Sequence, residues 1–444
     1  MVSFFHAYDL RGKYPDEIGQ MEAEKVGKAF GTVTDADEVL VGRDGRTHGK
    51  EITEAFIQGV KSTGVNVVDA GMVPSPVIYY AMRERGVKAS AVVTASHNPP
   101  EYTGFKFCKE NALAMSREGG MKEIEQIYIS EDFDKGKGSK TEIDVSESYI
   151  EAIQERFEME TGLDVAVNFG NGVTADIGGE VLEAIGCDVE AVNNEIDGDF
   201  PNHLPDPTNN EAKKALERKM TDEDLGIIFD GDGDRAGFIL PEHGYIPEDE
   251  VLALFSQQCL EKEKGKVVHD LRASKLVPEK IREFGGEPVE TKVGHTFISE
   301  SIHSDEEIVF AGELSGHYYF PVYGFPFDDG IFAAALMCFM VSRKDVRDIL
   351  DNYPDYPVSP ELRIDCPEEA KEKVVSDIKD VYSDHDVSTI DGAKIIFENG
   401  WALVRPSNTE EKMSVRCEGD TESDVEKILN EVETEVRNLI KKYS

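Results

Sequence analysis

GIIFDGDGDRAG, residues 226–237, runs an apolar segment straight into three aspartates separated by glycines. An apolar run this short, closed by turn residues, reads as a buried strand of an α/β layer. In such layers ligands gather at the carboxyl ends of strands, which is where Asp230, Asp232 and Asp234 fall. The glycines let the backbone curl so that the three carboxylates converge. Hard oxygen donors of this kind suit Mg²⁺ or Ca²⁺. An EF-hand is excluded. It needs Gly at loop position six and Glu at position twelve, and here those are Arg235 and Pro241.

The same strand, Gly/Asp loop and helix pattern recurs in EVLVGRDGR (38–46), VAVNFGNGVTA (165–175) and KVVHDLRAS (266–274). The copies diverge in sequence but fit a duplicated α/β unit. A chain of 444 residues exceeds one core, because single cores stop growing near ~250–300 residues, so two to four domains are expected. Soft boundaries fall in EDFDKGKGSKTEIDVSES (131–148), which reads as a linker, in ILPEHGYIPEDE (239–250) and in DNYPDYPVSPELR (351–363). The last segment ends on an amphipathic helix whose Val425, Ile428, Leu429, Val432, Val436, Leu439 and Ile440 read as core positions.

Asp plus Glu number 89 and Lys plus Arg 47, a net charge of −42. Such a surface repels nucleic acid and anionic membranes, so neither is an expected partner, and any phosphate site must be locally basic. Six scattered cysteines with no CxxC pair argue for reduced thiols and a cytoplasmic location. The start MVSFFHAYDL does not read as a secretory signal. IFAAALMCFMV (331–341) is shorter than the ~20 residues of a membrane span and reads as a buried helix.

Three further stretches carry candidate chemistry. VVTASHNPPEYTGFK (92–106) presents Ser96 without the GxSxG elbow of an α/β-hydrolase. His97 is adjacent, and neighbours on an extended loop point apart, so a Ser96–His97 pair is expected to be geometrically poor. A phosphorylated Ser96 would instead supply an oxygen to a three-aspartate cation site, joining the two loops. GELSGHYYF (312–320) alternates Glu313, Ser315 and His317, a set suited to sugar hydroxyls. WALVRPSNTEEKMSVRCEG (401–419) offers Arg405, Ser407, Asn408 and Thr409 as a cradle for a phosphate dianion.

TASHNP, DGDGDR, GELSGH and RPSNTE, in this order, resemble the phosphoserine, metal, sugar and phosphate loops of the α-D-phosphohexomutase superfamily, phosphomannomutase/phosphoglucomutase type. AYDLRG, VGRDGR, GMVPSP, DGDFPNHLPDP, TKVGHTFI and DDGIFAAA are lesser matches along the chain. The resemblance implies four domains around a central cleft. Three are related α/β units, spanning 1–143 with the phosphoserine loop, 144–244 with the metal loop and 245–354 with the sugar loop. A smaller α+β domain, 355–444, carries the phosphate loop.

It further implies that Ser96 carries a phosphoryl group and that Asp230, Asp232 and Asp234 hold Mg²⁺ with an oxygen of that group. Arg11, Lys106 and Arg235 are then expected at the transferring group. His97, His295 and His317 are candidates for proton transfer, Glu313 and Ser315 for the sugar, and Arg405, Ser407, Asn408 and Thr409 for the distal phosphate. The implied reaction interconverts hexose 1- and 6-phosphates through a 1,6-bisphosphate, in a monomer or homodimer. Thr103 and Arg272 depart from residues common in the superfamily. The rival readings are a phosphoglucosamine mutase, from which Leu314 mildly argues away, and a non-catalytic acidic calcium-binding protein.

Acidity of this degree suggests adaptation to a salty cytoplasm, since screening shrinks from about 30 Å at 0.01 M salt to about 3 Å at 1 M. On that reading the unfolding midpoint rises with added NaCl. An unchanged midpoint in dilute buffer rejects it.

Overall fold

The protein is described by a computed structural model covering residues 2–6, 9–157, 159, 162–407 and 411–443. The described residues form four sheets. In the first α/β unit, strand Glu38–Arg43 runs parallel to Asn66–Met72 on one side and Ala89–Val93 on the other. The chain then turns back antiparallel as Tyr102–Lys109. The second unit repeats this with Leu163–Asn168 between Cys187–Val192 and Leu225–Phe229, followed by antiparallel Ala236–Leu240. The third repeats it with Lys266–Asp270 between Glu287–Thr291 and Ile308–Gly312, followed by Tyr318–Phe320.

Ser96, the DGDGDR loop and the GELSGH loop therefore occupy one topological position, the reversal from the third parallel strand into the antiparallel strand. Three of the sequence copies (38–46, 165–175 and 266–274) begin on the equivalent first strand of each unit. The copy at 226–237 is the third strand of its unit, so it is not in register with them. The pattern of apolar run and Gly/Asp loop cannot distinguish the strands of a sheet that is buried on both faces.

The stretch expected as a linker is partly sheet. Lys140–Glu142 pairs in parallel with Val67–Asp69 at the edge of the first sheet. Helix Ser146–Phe157 follows. The fourth unit is an antiparallel sheet backed by helices Glu368–Val381 and Glu422–Tyr443. Val425, Ile428, Val432, Val436, Leu439 and Ile440 are buried in its core, with Leu429 packed at the margin.

Helix Gly330–Val341 is buried along almost its whole length, as the apolar run predicts. It packs on helices Ser146–Phe157 and Thr174–Ala184 and on the Leu225–Phe229 and Ala236–Leu240 strands. Its side chains belong to one apolar cluster that takes in residues of all three α/β units, from Leu40 to Leu350. Burial of each large apolar side chain there contributes roughly 1.5–3 kcal/mol, so the three loops are carried on a shared core. Among the described residues, no helix is long and apolar enough to cross a membrane.

The DGDGDR loop meets the Ser96 loop without room for a side chain. A Cβ on Gly231 would lie 2.5 Å from the Ser96 carbonyl oxygen. Gly231→Ala must push the two loops apart by a few tenths of an ångström or more, and misplacement of about 1 Å can cost 10²-fold in rate. The expected outcome is a fall in kcat of that order with a melting temperature close to wild type. Unchanged turnover would show that the loops need not touch.

Candidate active site

Ser96 lies in the loop between strands Ala89–Val93 and Tyr102–Lys109 and is 2% exposed. Its φ is +48°, a left-handed conformation that costs a residue with a side chain roughly 1–3 kcal/mol. That backbone turns Oγ toward the second unit, where it donates to Asp230 Oδ2 at 2.6 Å. Arg235 Nη2 donates to the same hydroxyl at 3.3 Å.

The left-handed turn also overturns one expectation. Ser96 Oγ and His97 Nδ1 are 3.2 Å apart, because the backbone is not extended there and the two side chains share a side. Burial, with Arg235 and Arg11 nearby, pushes His97 down to about 2. Its imidazole is therefore neutral across the physiological range.

The three aspartates are fully buried, and their carboxylate oxygens come within 4.8 Å of one another. Asp230 Oδ1 accepts from the Gly233 and Arg235 amides at 2.9 and 3.2 Å. Lys106, projecting from strand Tyr102–Lys109, sets its ammonium between Asp232 Oδ2, at 2.7 Å, and Asp234 Oδ2. Ser75 Oγ donates to Asp232 Oδ2 at 2.6 Å.

Burial and its two neighbouring carboxylates push Asp230 well above the usual carboxyl range. Burial acts the same way on Asp234, but Lys106 and His317 outweigh it and hold that group well below. Lys106 is itself raised, because Asp232 and Asp234 overcome its desolvation. Asp232 Oδ1 and Asp234 Oδ1 are buried without a hydrogen-bond partner among the described residues. Two carboxylate oxygens without a hydrogen bond, Asp234 Oδ1 facing only the His317 ring at 3.5 Å, beside a third carboxylate and a serine hydroxyl, are the donor set of a hard divalent cation, so the residues fit one.

Glu313, Ser315 and His317 converge, though on a tight turn and not along an extended strand. The turn is closed by Gly316 N to Glu313 O at 3.0 Å and Glu313 N to His317 O at 3.1 Å. Ser315 Oγ donates to Glu313 Oε1 at 2.6 Å, and His317 Nδ1 lies 2.7 Å from the same oxygen. His317 Nε2 faces Asp234 Oδ1 at 3.5 Å, which ties the GELSGH loop to the DGDGDR loop. Although burial opposes its charge, Asp234 and Glu313 raise His317 to about 10, so it is an imidazolium at neutral pH. His295 stacks on it, ring centroids 5.8 Å apart, and burial together with that cation lowers His295 to about 4.

Arg11 reaches the serine loop through Asn98 Oδ1 at 2.7 Å and pairs with Asp9. Arg272, one of the departures, grips Asp270 through Nε and Nη2 at 3.2 and 2.7 Å. Asp270 Oδ2 in turn accepts from the Leu314 amide at 3.0 Å, so Arg272 braces the GELSGH loop from behind. Thr103, the other departure, is buried in the strand pairing opposite Gly12.

Arg405 and Ser407 lie at the end of strand Gly400–Pro406 and line a cavity of about 140 Å³ with Arg363, Lys412 and Ser414. Glu361 lines it too and pairs with Arg363 at 3.4 Å, leaving three cations against one carboxylate, a net positive space that suits a phosphate dianion. Arg405 Nη2 pairs with Asp391 Oδ2 at 2.6 Å. The same oxygen accepts from the Val293 amide of the third unit at 3.3 Å. Asn408 and Thr409 lie outside the described residues.

Some participants have no role in the sequence reading. Asp328, Ser75 and Asp391 are examples. Asp328 groups with Asp234 and His317, and burial with the Asp234 charge pushes it up to about 7. The stretches DDGIFAAA and GMVPSP contain the first two, but an isolated Asp or Ser in a loop carries no signal until the fold sets it against a partner.

Comparison with known proteins agrees with this arrangement along the whole chain. The phosphoglucomutase/phosphomannomutase α/β/α domains I, II and III match residues 3–135, 147–244 and 247–356, and the C-terminal domain of that family matches 361–435. A phosphomannomutase/phosphoglucomutase of Pseudomonas aeruginosa is 35% identical over 99% of this chain and 96% of its own. A phosphomannomutase of Methanocaldococcus jannaschii is 34% identical over 99% and 97%. The crystal structure of a phosphoglucomutase/phosphomannomutase family protein from Burkholderia thailandensis superposes with a TM-score of 0.92 at 31% identity, covering 99% of this chain and 98% of that one. A non-catalytic calcium-binding protein is thereby set aside: the chain belongs to the phosphoglucomutase/phosphomannomutase family of the α-D-phosphohexomutase superfamily and is an isomerase of the phosphohexomutase kind.

Proposed function

We propose that the enzyme interconverts the 1- and 6-phosphates of glucose, mannose or both by passing a phosphoryl group through Ser96. The observation that carries this reading is the 2.6 Å contact between Ser96 Oγ and Asp230 Oδ2, inside a buried cluster that also holds Asp232, Asp234, Lys106 and Arg235. An ordinary polar turn has no reason to bury a hydroxyl among three carboxylates and two cations.

In this reading the phosphoryl–Oγ bond of phospho-Ser96 breaks as a bond forms to the free hydroxyl of a bound hexose monophosphate, and the proton that hydroxyl loses is matched by the one Oγ takes up. The resulting hexose 1,6-bisphosphate turns end for end. Its other phosphoryl group then returns to Ser96, leaving the isomeric monophosphate. Asp230, Asp232 and Asp234 would hold Mg²⁺, which when bound supplies charge neutralisation at the transferring oxygens.

Lys106 and Arg235 stand ready to offset charge on the equatorial oxygens, and Arg11 approaches from the Asn98 side of the loop. The imidazolium of His317 is placed to give a proton, whereas His97 and His295 are held neutral. Glu313 and Ser315 present one acceptor and one amphoteric hydroxyl, so they can bind a pyranose in either orientation. Arg405, Ser407, Asn408 and Thr409 would grip whichever phosphate is not reacting.

The third and fourth units must part for the sugar to turn and close again for transfer, and Asp391 at that joint would be one contact that breaks. The six cysteines are buried and unpaired, which supports a reducing cytoplasm as the place of action.

Ser96→Ala is expected to fold normally and to lose turnover in a coupled assay. Retained activity would refute the phosphoserine role. The same assay run on wild type with glucose 1-phosphate, mannose 1-phosphate and glucosamine 6-phosphate decides the sugar. Preferential turnover of the amino sugar would replace this reading with a phosphoglucosamine mutase.

Arg405→Ala removes a contact to a phosphate that does not react, so it is expected to raise KM with kcat largely kept. A hydrogen bond to a charged group contributes about 1.5–3 kcal/mol, which corresponds to a rise of about tenfold to a hundredfold. A wild-type KM in that variant would reject the assignment.

A further inference from the structure

The geometry points to Arg46 as the positioning residue that shapes the phosphoserine loop, a role that rests on Ser96 being the phosphoryl carrier. Arg46 is 2% exposed, and the VGRDGR stretch that contains it has no part in the chemistry described above. Its guanidinium carries five N–H groups in one rigid plane, and each meets an acceptor. Nη1 donates to the carbonyls of Pro99 and Tyr102 at 2.8 and 3.0 Å. Nη2 donates to those of Ser96 and Asn98 at 2.8 and 2.7 Å. Nε donates to Asp44 Oδ2 at 3.2 Å.

Four carbonyls between residues 96 and 102 are thus drawn to one point. This is an unusual use of an arginine, because loop carbonyls ordinarily face water. Collected inward, they force the backbone around them into a tight bow, and Ser96 is the residue that takes the left-handed φ of +48°. The conformation that aims Oγ at Asp230 is therefore held by the guanidinium, not chosen by the serine.

A second branch meets the same residue from the other side. Asp44 Oδ1 accepts from the Arg46 amide at 3.0 Å, and Asp44 Oδ2 accepts from Thr94 Oγ1 at 2.7 Å. Thr94 Oγ1 in turn accepts from the Ser96 amide at 2.8 Å. Ser96 is pinned at its carbonyl directly by Arg46 and at its amide through Thr94 and Asp44.

Arg46 also ties the loop to the second unit. The ring of Phe200 lies 5.1 Å from its guanidinium carbon, and a Cβ on Gly198 would lie 2.5 Å from the Arg46 Cα. The DGDFPNHLPDP stretch therefore acts as a lid on the arginine. It closes the site from water, which strengthens every one of these bonds.

A lysine cannot replace this group. Its three donors radiate from one nitrogen and cannot span four carbonyls and a carboxylate. A free guanidinium ion can, once the side chain is cut away.

The test compares Arg46→Ala, Arg46→Lys and Ser96→Ala with wild type. It measures kcat, KM, melting temperature and the yield of phosphoryl-Ser96, by intact mass, after incubation with glucose 1,6-bisphosphate. Arg46→Ala is expected to lose on the order of 10²-fold in kcat with KM little changed, and to phosphorylate slowly. Guanidinium chloride, added well below unfolding concentrations, is expected to restore part of both rates, with NaCl as the control.

Arg46→Lys keeps the charge and serves if the alanine variant does not fold. It is expected to lose at least about tenfold in kcat. Wild-type kcat in a folded variant overturns the proposal, as does a loss confined to KM. So does a loss in a folded Arg46→Ala that guanidinium does not reverse, which would make Arg46 a stabilising residue only. Full activity in Ser96→Ala would instead overturn the phosphoserine reading itself, independently of what the Arg46 variants do.

Discussion

Everything in the cleft depends on keeping three carboxylates together out of water. Asp230, Asp232 and Asp234 each have no solvent exposure, and an isolated buried carboxylate would take up a proton before tolerating that environment. The protein answers with fixed cations on three sides. Lys106 comes from the first unit, Arg235 from the second and His317 from the third. Each unit thus supplies one charge to a cluster that no unit could hold alone. The assembly of the units and the assembly of the site are the same event, and the buried helix Gly330–Val341 supplies the apolar surface that makes it favourable.

That local balance is set inside a chain with a net charge of −42. An anionic sugar phosphate approaching the surface meets repulsion over most of it, screened within about 8 Å at physiological salt. Cations are nevertheless gathered at two places. Arg11, Lys106 and Arg235 lie about Ser96, and Arg363, Arg405 and Lys412 surround the cavity of the fourth unit. At the first the cations are balanced by buried carboxylates, and at the second Arg363, Arg405 and Lys412 outnumber Glu361.

Much of this is legible along the chain because the functional loops are local objects. DGDGDR announces itself through the spacing of hard oxygen ligands after an apolar strand, and RPSN through donors following a strand. The apolar run 331–341 can be read as buried from composition alone. What linear reading misplaces is conformation. A Ser96–His97 contact looks poor in the sequence because adjacent side chains on extended backbone diverge, and the left-handed φ at Ser96 removes that premise. The linker at 131–148 proves to hold a sheet strand, since Lys140–Glu142 is too short and too charged to show a period of two. The copy at 226–237 belongs to a different strand of its unit from the other three.

The sequence by itself determined which chemical groups are present, their order, and the α/β character of the units, because strand period, glycine placement and ligand type are properties of neighbouring residues. Only the tertiary structure decided that Ser96, 134 residues away from Asp230, donates to it, that Arg46 gathers four carbonyls of the serine loop, and that Asp328 joins His317. Those relations are set by burial of apolar surface within and between units, which acts without regard to separation along the chain.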